Sequence, residues 1–242
     1  MNTVLSYFKD TYKFNDKATI KASGKDENGY FIILDQTVFY PQGGGQPSDR
    51  GLIEIGGIVI PIHIVKFVAN DVKHYTDQNY SHLVGQTGIC SIDQEMRLLH
   101  AKLHTSGHLI SNIIEKLYPD WRAVKGHHFP DQCYVEFLSE NEDSNNIISN
   151  EIVNDKIKQA LEKDDLLTAF EVSGSKLEEL CPNLTYSIPN NQSARIVRIG
   201  DFPFSPCGGT HVKSLRELKG LQVTKYKIKN NIMKINYQLA QD

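Results

Sequence analysis

The sequence predicts an α+β protein: a small antiparallel β-barrel, then an α/β domain whose helices pack on a mostly antiparallel sheet. Three observations carry that expectation. Short β-branched and aromatic runs punctuated by Gly, Asn and Asp fill Thr11 to Ile92. The hydrophobic period switches from two to about 3.6 near residue 91. Strand-like and helix-like runs then mix to the end of the chain. The expected boundary is at about residue 90, dividing the chain into 1–90 and 91–242.

In the first part, YFIILDQTVFY has the residue types that suit a pleated, half-buried strand. LIEIGGIVIPI sets Gly56-Gly57 between two apolar runs, the mark of a two-residue hairpin turn. Strands at this spacing, with no helical pattern between them, suggest a barrel. Ser91-Ile92-Asp93-Gln94 resembles a capping box, and Met96, Leu99, Leu103, Gly107, Ile110, Ile114 and Leu117 follow at helical spacing. That helix should stop before Pro119. Next come a strand (CYVEFL), an acidic helix from about Ile147 to Lys163, and a strand (LLTAFEV). A short helix near Leu177, a strand (RIVRI) and two closing strands (LQVTKYKI, IMKINYQL) complete the second part.

Composition narrows the function classes. With 242 residues, 40% hydrophobic and 23% charged, the chain has ample material for a core. No run of about 18 apolar residues marks a membrane span, and MNTVLSYFKDTYKF lacks the pattern of a secretory signal. Cys90, Cys133, Cys181 and Cys207 are scattered and suit reduced thiols in a cytoplasmic protein. The net charge of −3 hides an asymmetry. Glu140–Glu179 holds 11 acidic against 4 basic residues, whereas Arg195–Lys234 holds 9 basic against 2 acidic. The basic segment can neutralise phosphates, or it is simply a solvated face.

Two pairs carry metal-binding chemistry. His104 and His108, in HTSGH, lie four apart on one helical face, where two imidazoles can converge on one ion. His100 shares that face but stands about 12 Å of helix rise from His108, too far to join both. Cys207 and His211, in PCGGTH, are again four apart, within a tight loop. Three nitrogens and a thiolate make a tetrahedral set suited to Zn²⁺. Each pair also has a bland reading, as a polar seam on a helix or a buried thiol beside a turn. His127-His128 reads as an exposed pair after a turn, or as neighbours of the site.

FYPQGGGQPSDRG is harder to explain locally, since a hairpin turn needs one or two glycines. Gly43, Gly44 and Gly45 free the backbone to approach a ligand, and Gln46 adds a neutral donor and acceptor. The segment is no P-loop, because the Lys-Ser/Thr ending is absent.

Together HTSGH, PCGGTH and FYPQGGGQPSDRG closely resemble the editing domain of alanyl-tRNA synthetase and its free-standing relatives, the AlaX proteins. The resemblance spans nearly the whole chain and is similar to the medium-length, two-domain form. The glycine motif points to the alanyl rather than the threonyl branch. The resemblance implies zinc held by His104, His108, Cys207 and His211, which double as the catalytic centre. It also implies hydrolysis of mischarged tRNA(Ala), chiefly the seryl and sometimes the glycyl ester. Gly43, Gly44, Gly45, Gln46, Thr105 and Thr210 are the expected substrate contacts. The expected partner is the acceptor end of mischarged tRNA(Ala), with no DNA and no membrane; monomer and homodimer are both open. Asp131 and Glu136 are the nearest carboxylates in sequence for a general base. The alternative function is a non-catalytic, zinc-stabilised tRNA- or RNA-binding module. Two departures from the family pattern stand out: Ser106-Gly107 within the histidine motif, where HTAxH is common, and Val124 where a polar Gln usually precedes Lys-Gly.

Overall fold

The computed structural model describes residues 3–139, 141, 148–182, 184, 188–189 and 192–240. The chain divides into two compact units, Met1–His100 and Ala101–Asp242. Among the described residues, no helix is long and apolar enough to cross a membrane.

The first unit contains β1 (Val4–Leu5), β2 (Asn15–Asp26), β3 (Gly29–Leu34), β4 (Gln36–Thr37), β5 (Gly51–Ile55), β6 (Ile58–Ile62), β7 (Ile64–Val68), β8 (Asp71–Thr76) and β9 (Thr87–Ile92). Seven of these form one antiparallel sheet in the order β6-β5-β9-β2-β3-β8-β7, while β1 and β4 pair in parallel. Alternation along the strands turns Ile20, Ile32, Ile53, Ile60, Val65 and Cys90 into one buried cluster. The Gly56-Gly57 hairpin forms as expected: Ile55 pairs with Ile58, and both glycines have positive φ.

The expected barrel does not close. β6 and β7 lie at opposite ends of the sheet and no ladder joins them. They are consecutive stretches separated by His63, whose N–H donates to Tyr75 O at 3.1 Å. The chain bends there to leave one edge and pair at the other, and Pro61 has no N–H to offer a further ladder.

Helix α1 (Gln94–Leu117) crosses the division between the units. Its cap is Asp93, whose Oδ1 accepts from Met96 N at 3.0 Å. Ser91 is not the cap, because Ser91 and Ile92 are still in the β9 ladders. The second unit continues with β10 (Trp121–Phe129), β11 (Gln132–Ser139), α2 (Asn150–Lys163), β12 (Leu167–Ser173), α3 (Gly174–Leu180), β13 (Ser193–Ile199), β14 (Ser205–Pro206), β15 (Gln222–Lys229) and β16 (Ile232–Gln238). One antiparallel sheet runs β10-β11-β16-β15 and another β12-β13-β14. Ser149 caps α2 by accepting from Ile152 N; the expected start at Ile147 lies outside the described residues. The mixed α and β character with mostly antiparallel sheets agrees with the expected α+β class.

Candidate metal centre

α1 carries half of the centre. Ala101, Leu109, Ile110 and Ile114 are buried, and the same rotation brings His104 inward with His108 one turn on. The other half comes from the loop after β14. Cys207 N donates to Arg195 O at 2.9 Å, which ties the loop to β13. The Arg195 guanidinium returns the contact, donating through Nη1 to Cys207 O and Gly209 O at 2.9 Å each. Arg195, the first cation of the basic segment, is buried and holds this loop in shape.

The ligand atoms of His104, His108, Cys207 and His211 lie within 4.8 Å of one another. His104 Nε2 is 3.2 Å from His108 Nε2 and 3.2 Å from Cys207 Sγ, and Cys207 Sγ is 3.3 Å from His211 Nε2. A tetrahedral Zn²⁺ with bonds of about 2.0–2.3 Å needs neighbouring ligand atoms about 3.3–3.6 Å apart. The four donors fit that ion in number and type, and these three spacings come close to its edge lengths. His104 and His211 are buried, whereas His108 and Cys207 are partly open. Burial and the neighbouring imidazoles hold His104 and His211 well below the ordinary histidine range. Burial, helped by Arg195, takes His108 down to about 4. Neutral imidazoles are the metal-binding form. Burial alone pushes the Cys207 thiol up, opposed by the Gly209 N–H and Arg195.

A second layer orients these ligands. Thr105 Oγ1 donates to Ala101 O at 2.8 Å and accepts from Val212 N at 3.2 Å. His211 Nδ1 lies 3.1 Å from the same oxygen. With its proton committed to a carbonyl, Thr105 must accept from His211 Nδ1–H, which places the lone pair of His211 on Nε2, facing Cys207. Thr210 is fully buried in the same loop.

His128 is the largest addition. Its ring centroid lies 4.9 Å from that of His104. His128 Nδ1 is 2.6 Å from Tyr237 Oη, which donates to Leu103 O at 2.8 Å. The ring sits between two glycines: a Cβ on Gly107 would meet His128 Cε1 at 2.3 Å, and one on Gly126 would meet Nε2 at 2.3 Å. Gly107 in HTSGH thus makes room for a fourth imidazole beside the centre. The exposed-pair reading holds for neither residue, since both lie in β10 and only His127 points outward, where it is half-buried. Val124, 57% exposed, sits at a bulge between Ala123 and Lys125. His100 is buried in the first unit, with no hydrogen-bond partner for either ring nitrogen among the described residues.

Gly43, Gly44, Gly45 and Gln46 also belong to the first unit. Gly43 and Gln46 exchange backbone hydrogen bonds of 2.8 and 3.2 Å around Gly44 (φ +53°) and Gly45 (φ +76°), a tight turn that favours glycine. The Gln46 side chain is buried. Behind the turn, Asp49 and Arg97 form a fully buried ion pair. Asp49 accepts from Tyr40 N at 2.6 Å, and Arg97 reaches Thr11 O at 2.8 Å and Val38 O. Sequence reasoning passed over both, though a charged pair bracketing the glycine motif and the helix start is the signal.

Comparisons with known proteins agree with this geography. A family model described as tRNA synthetases class II (A) matches residues 3–96, and one for the threonyl and alanyl tRNA synthetase second additional domain matches residues 194–234. The chain is 33% identical over 226 residues to the alanyl-tRNA editing protein AlaX-M of Methanosarcina barkeri, covering 90% of this chain and 91% of that one. It is 30% identical over 240 residues to AlaX-L of Pyrococcus horikoshii, covering 96% of this chain and 56% of that one. It is 28% identical over 239 residues to the alanine–tRNA ligase of Metallosphaera sedula, covering 96% of this chain and 25% of the ligase.

Proposed function

The chain belongs to the alanyl-tRNA editing protein family, and on that footing we propose that it is a trans-editing hydrolase clearing mischarged tRNA(Ala). Its substrates are the seryl and glycyl esters, and its centre is a zinc ion held by His104, His108, Cys207 and His211. The observation that carries this reading is the convergence of three imidazoles and one thiol, from segments about a hundred residues apart, with all four ligand atoms within 4.8 Å of one another.

The reaction is hydrolysis of an ester between an amino acid and a terminal ribose hydroxyl. Bound Zn²⁺ supplies Lewis acidity toward a carbonyl oxygen or a water. The residues of the chain supply orientation. Thr105 fixes the lone pair of His211, and Arg195 fixes the backbone around Cys207 and Gly209. The open side at His108 and Cys207 is where an ester can approach. Thr105 has its hydroxyl engaged by protein, so its part in substrate handling runs through His211. Gly43 and Gly44, the exposed tip of that turn, are proposed to meet the substrate, with Gly45 and the buried Gln46 setting the turn's shape.

One observation favours a second reading. Four protein ligands complete a tetrahedron, which is the pattern of a structural site, and a zinc-stabilised RNA-binding module would need no more. Deacylation separates the two. Purified protein is incubated with Ser-, Gly- and Ala-tRNA(Ala), with chelator, and with chelator followed by zinc. The expected result is release of serine and glycine, loss on chelation and recovery on zinc. No cleavage of any ester at stoichiometric protein leaves only the binding module.

A further inference from the structure

The sheet β10-β11-β16-β15 buries Val135, Phe137, Met233, Ile235 and Tyr237 on one face. Its registers determine which residues share the other. Lys125 pairs with Glu136, Glu136 with Lys234, and Lys234 with Lys227. Two residues along each strand, His127 pairs with Tyr134, Tyr134 with Asn236, and Asn236 with Lys225. Cross-strand partners, and residues two apart on a strand, point to the same side of a sheet. A third row adds Arg122 and Lys229 at its two ends. The three rows hold six cationic side chains and one carboxylate, Glu136, which is already 3.7 Å from Lys125.

The lysines surround rings. His127 stacks on Phe129, with centroids 4.4 Å apart and planes 11° from parallel, and on Tyr134 at 5.0 Å and 26°. Lys234 Nζ stands 3.3 Å above the Tyr134 ring. Stacked rings among cations on an open sheet match an unpaired nucleic-acid strand, which offers both bases to stack and phosphates to neutralise. An A-form duplex keeps its bases stacked inside, and an acidic protein would use the lysines but leave the rings without a role.

We propose that this face binds RNA, with unpaired bases extending the stack from its half-buried Phe129 and His127 end, over a floor of the buried Tyr134 beneath Lys234, and phosphates along Lys125, Lys225 and Lys227. The identity of that RNA as the 3′ arm of tRNA rests on the editing reading. β10 is the edge strand of the sheet and carries His128 on its reverse side, beside His104. The platform therefore lies on the opposite face of β10 from His128, so an RNA strand engaged at both the metal centre and the platform must pass this edge.

The test measures binding of the full chain, by fluorescence anisotropy from 50 to 200 mM salt, to three labelled probes. These are a tRNA(Ala) transcript, a short single-stranded RNA ending in CCA, and a blunt RNA duplex. Replacing Lys225→Ala and Lys227→Ala together should weaken tRNA binding at least tenfold and flatten the log–log salt slope by about 1.4–1.8. Replacing His127→Ala and Phe129→Ala together should weaken the single strand about fivefold or more and leave the slope unchanged. Wild-type affinity and slope in both double variants overturn the proposal, as does a duplex or a polyglutamate competitor that binds as tightly as the single strand. Deacylation by the wild type is scored separately. Binding without cleavage sinks the editing reading and keeps this face; cleavage with indifferent variants does the reverse.

Discussion

At the scale of single residues, the site is made by side chains that are not ligands. Thr105 is the clearest. Its hydroxyl has one proton and two lone pairs, and Ala101 O, Val212 N and His211 Nδ1 use all three. Thr105→Val keeps the volume and removes every one of those bonds, so His211 loses the contact that sets its tautomer. Groups in this position are worth about 10- to 100-fold in metal affinity. Competition with a chromophoric chelator should show zinc binding weakened by that amount in Thr105→Val and restored in Thr105→Ser. Unchanged affinity in Thr105→Val removes the residue from the centre. Gly107 follows the same logic from the opposite side: an interior helical glycine costs about 1 kcal/mol relative to alanine, and the space it leaves holds the His128 ring.

Elements differ in how plainly the chain announces them. α1 was legible because its apolar period is long and its ligand histidines share the buried stripe, and the β5–β6 hairpin because Gly56-Gly57 admits few other conformations. β10 was not legible: WRAVKGHHF alternates cations and histidines, and only pairing with β11 shows which of them face inward. Closure of the first sheet was equally hidden, since a strand's partner at the far edge depends on a bend at His63 rather than on local pattern. The four residues of the candidate metal cluster stand out in the sequence as two four-residue spacings, whereas Arg195, His128 and Tyr237 join them through contacts spanning 12 to 134 positions. The glycine motif shows an element secured from behind. Its turn is backed by Asp49, which is shared between Tyr40 N and Arg97 at the start of α1. Removing one partner of a buried ion pair strands the other and costs about 3–5 kcal/mol. Asp49→Ala should therefore lower the urea midpoint by that amount of stability with little change in slope. A loss under about 1 kcal/mol would mean that the three carbonyl and carboxylate contacts of Arg97 do not hold the loop.

On the scale of the whole molecule, the candidate metal cluster lies wholly in the second unit, and a natural probe reports on that unit alone. The chain has one tryptophan, Trp121, fully buried at the start of β10 in the same unit as all four ligands. Tryptophan emission therefore reports the fate of residues 101–242, while circular dichroism reports the entire chain. A metal that binds the folded unit and not its unfolded form stabilises it by RT ln(1 + [L]/Kd), about 2.7 kcal/mol at a hundredfold excess over Kd. For a chain of this size, that corresponds to a shift of about 5–10 °C. The imidazoles of His104, His108 and His211, held neutral, already meet the condition that ligands be deprotonated, whereas the Cys207 thiol, pushed up by burial, must release its proton on binding, so the increment should grow as pH rises. Melting the chelated protein with and without zinc should raise the tryptophan transition by that amount, with the shift growing with the logarithm of free zinc. The same titration in Cys207→Ser should give a smaller shift, because the thiolate is the softest of the four donors. A tryptophan transition indifferent to zinc across that range would mean that the four side chains, close as they lie, do not act as one site.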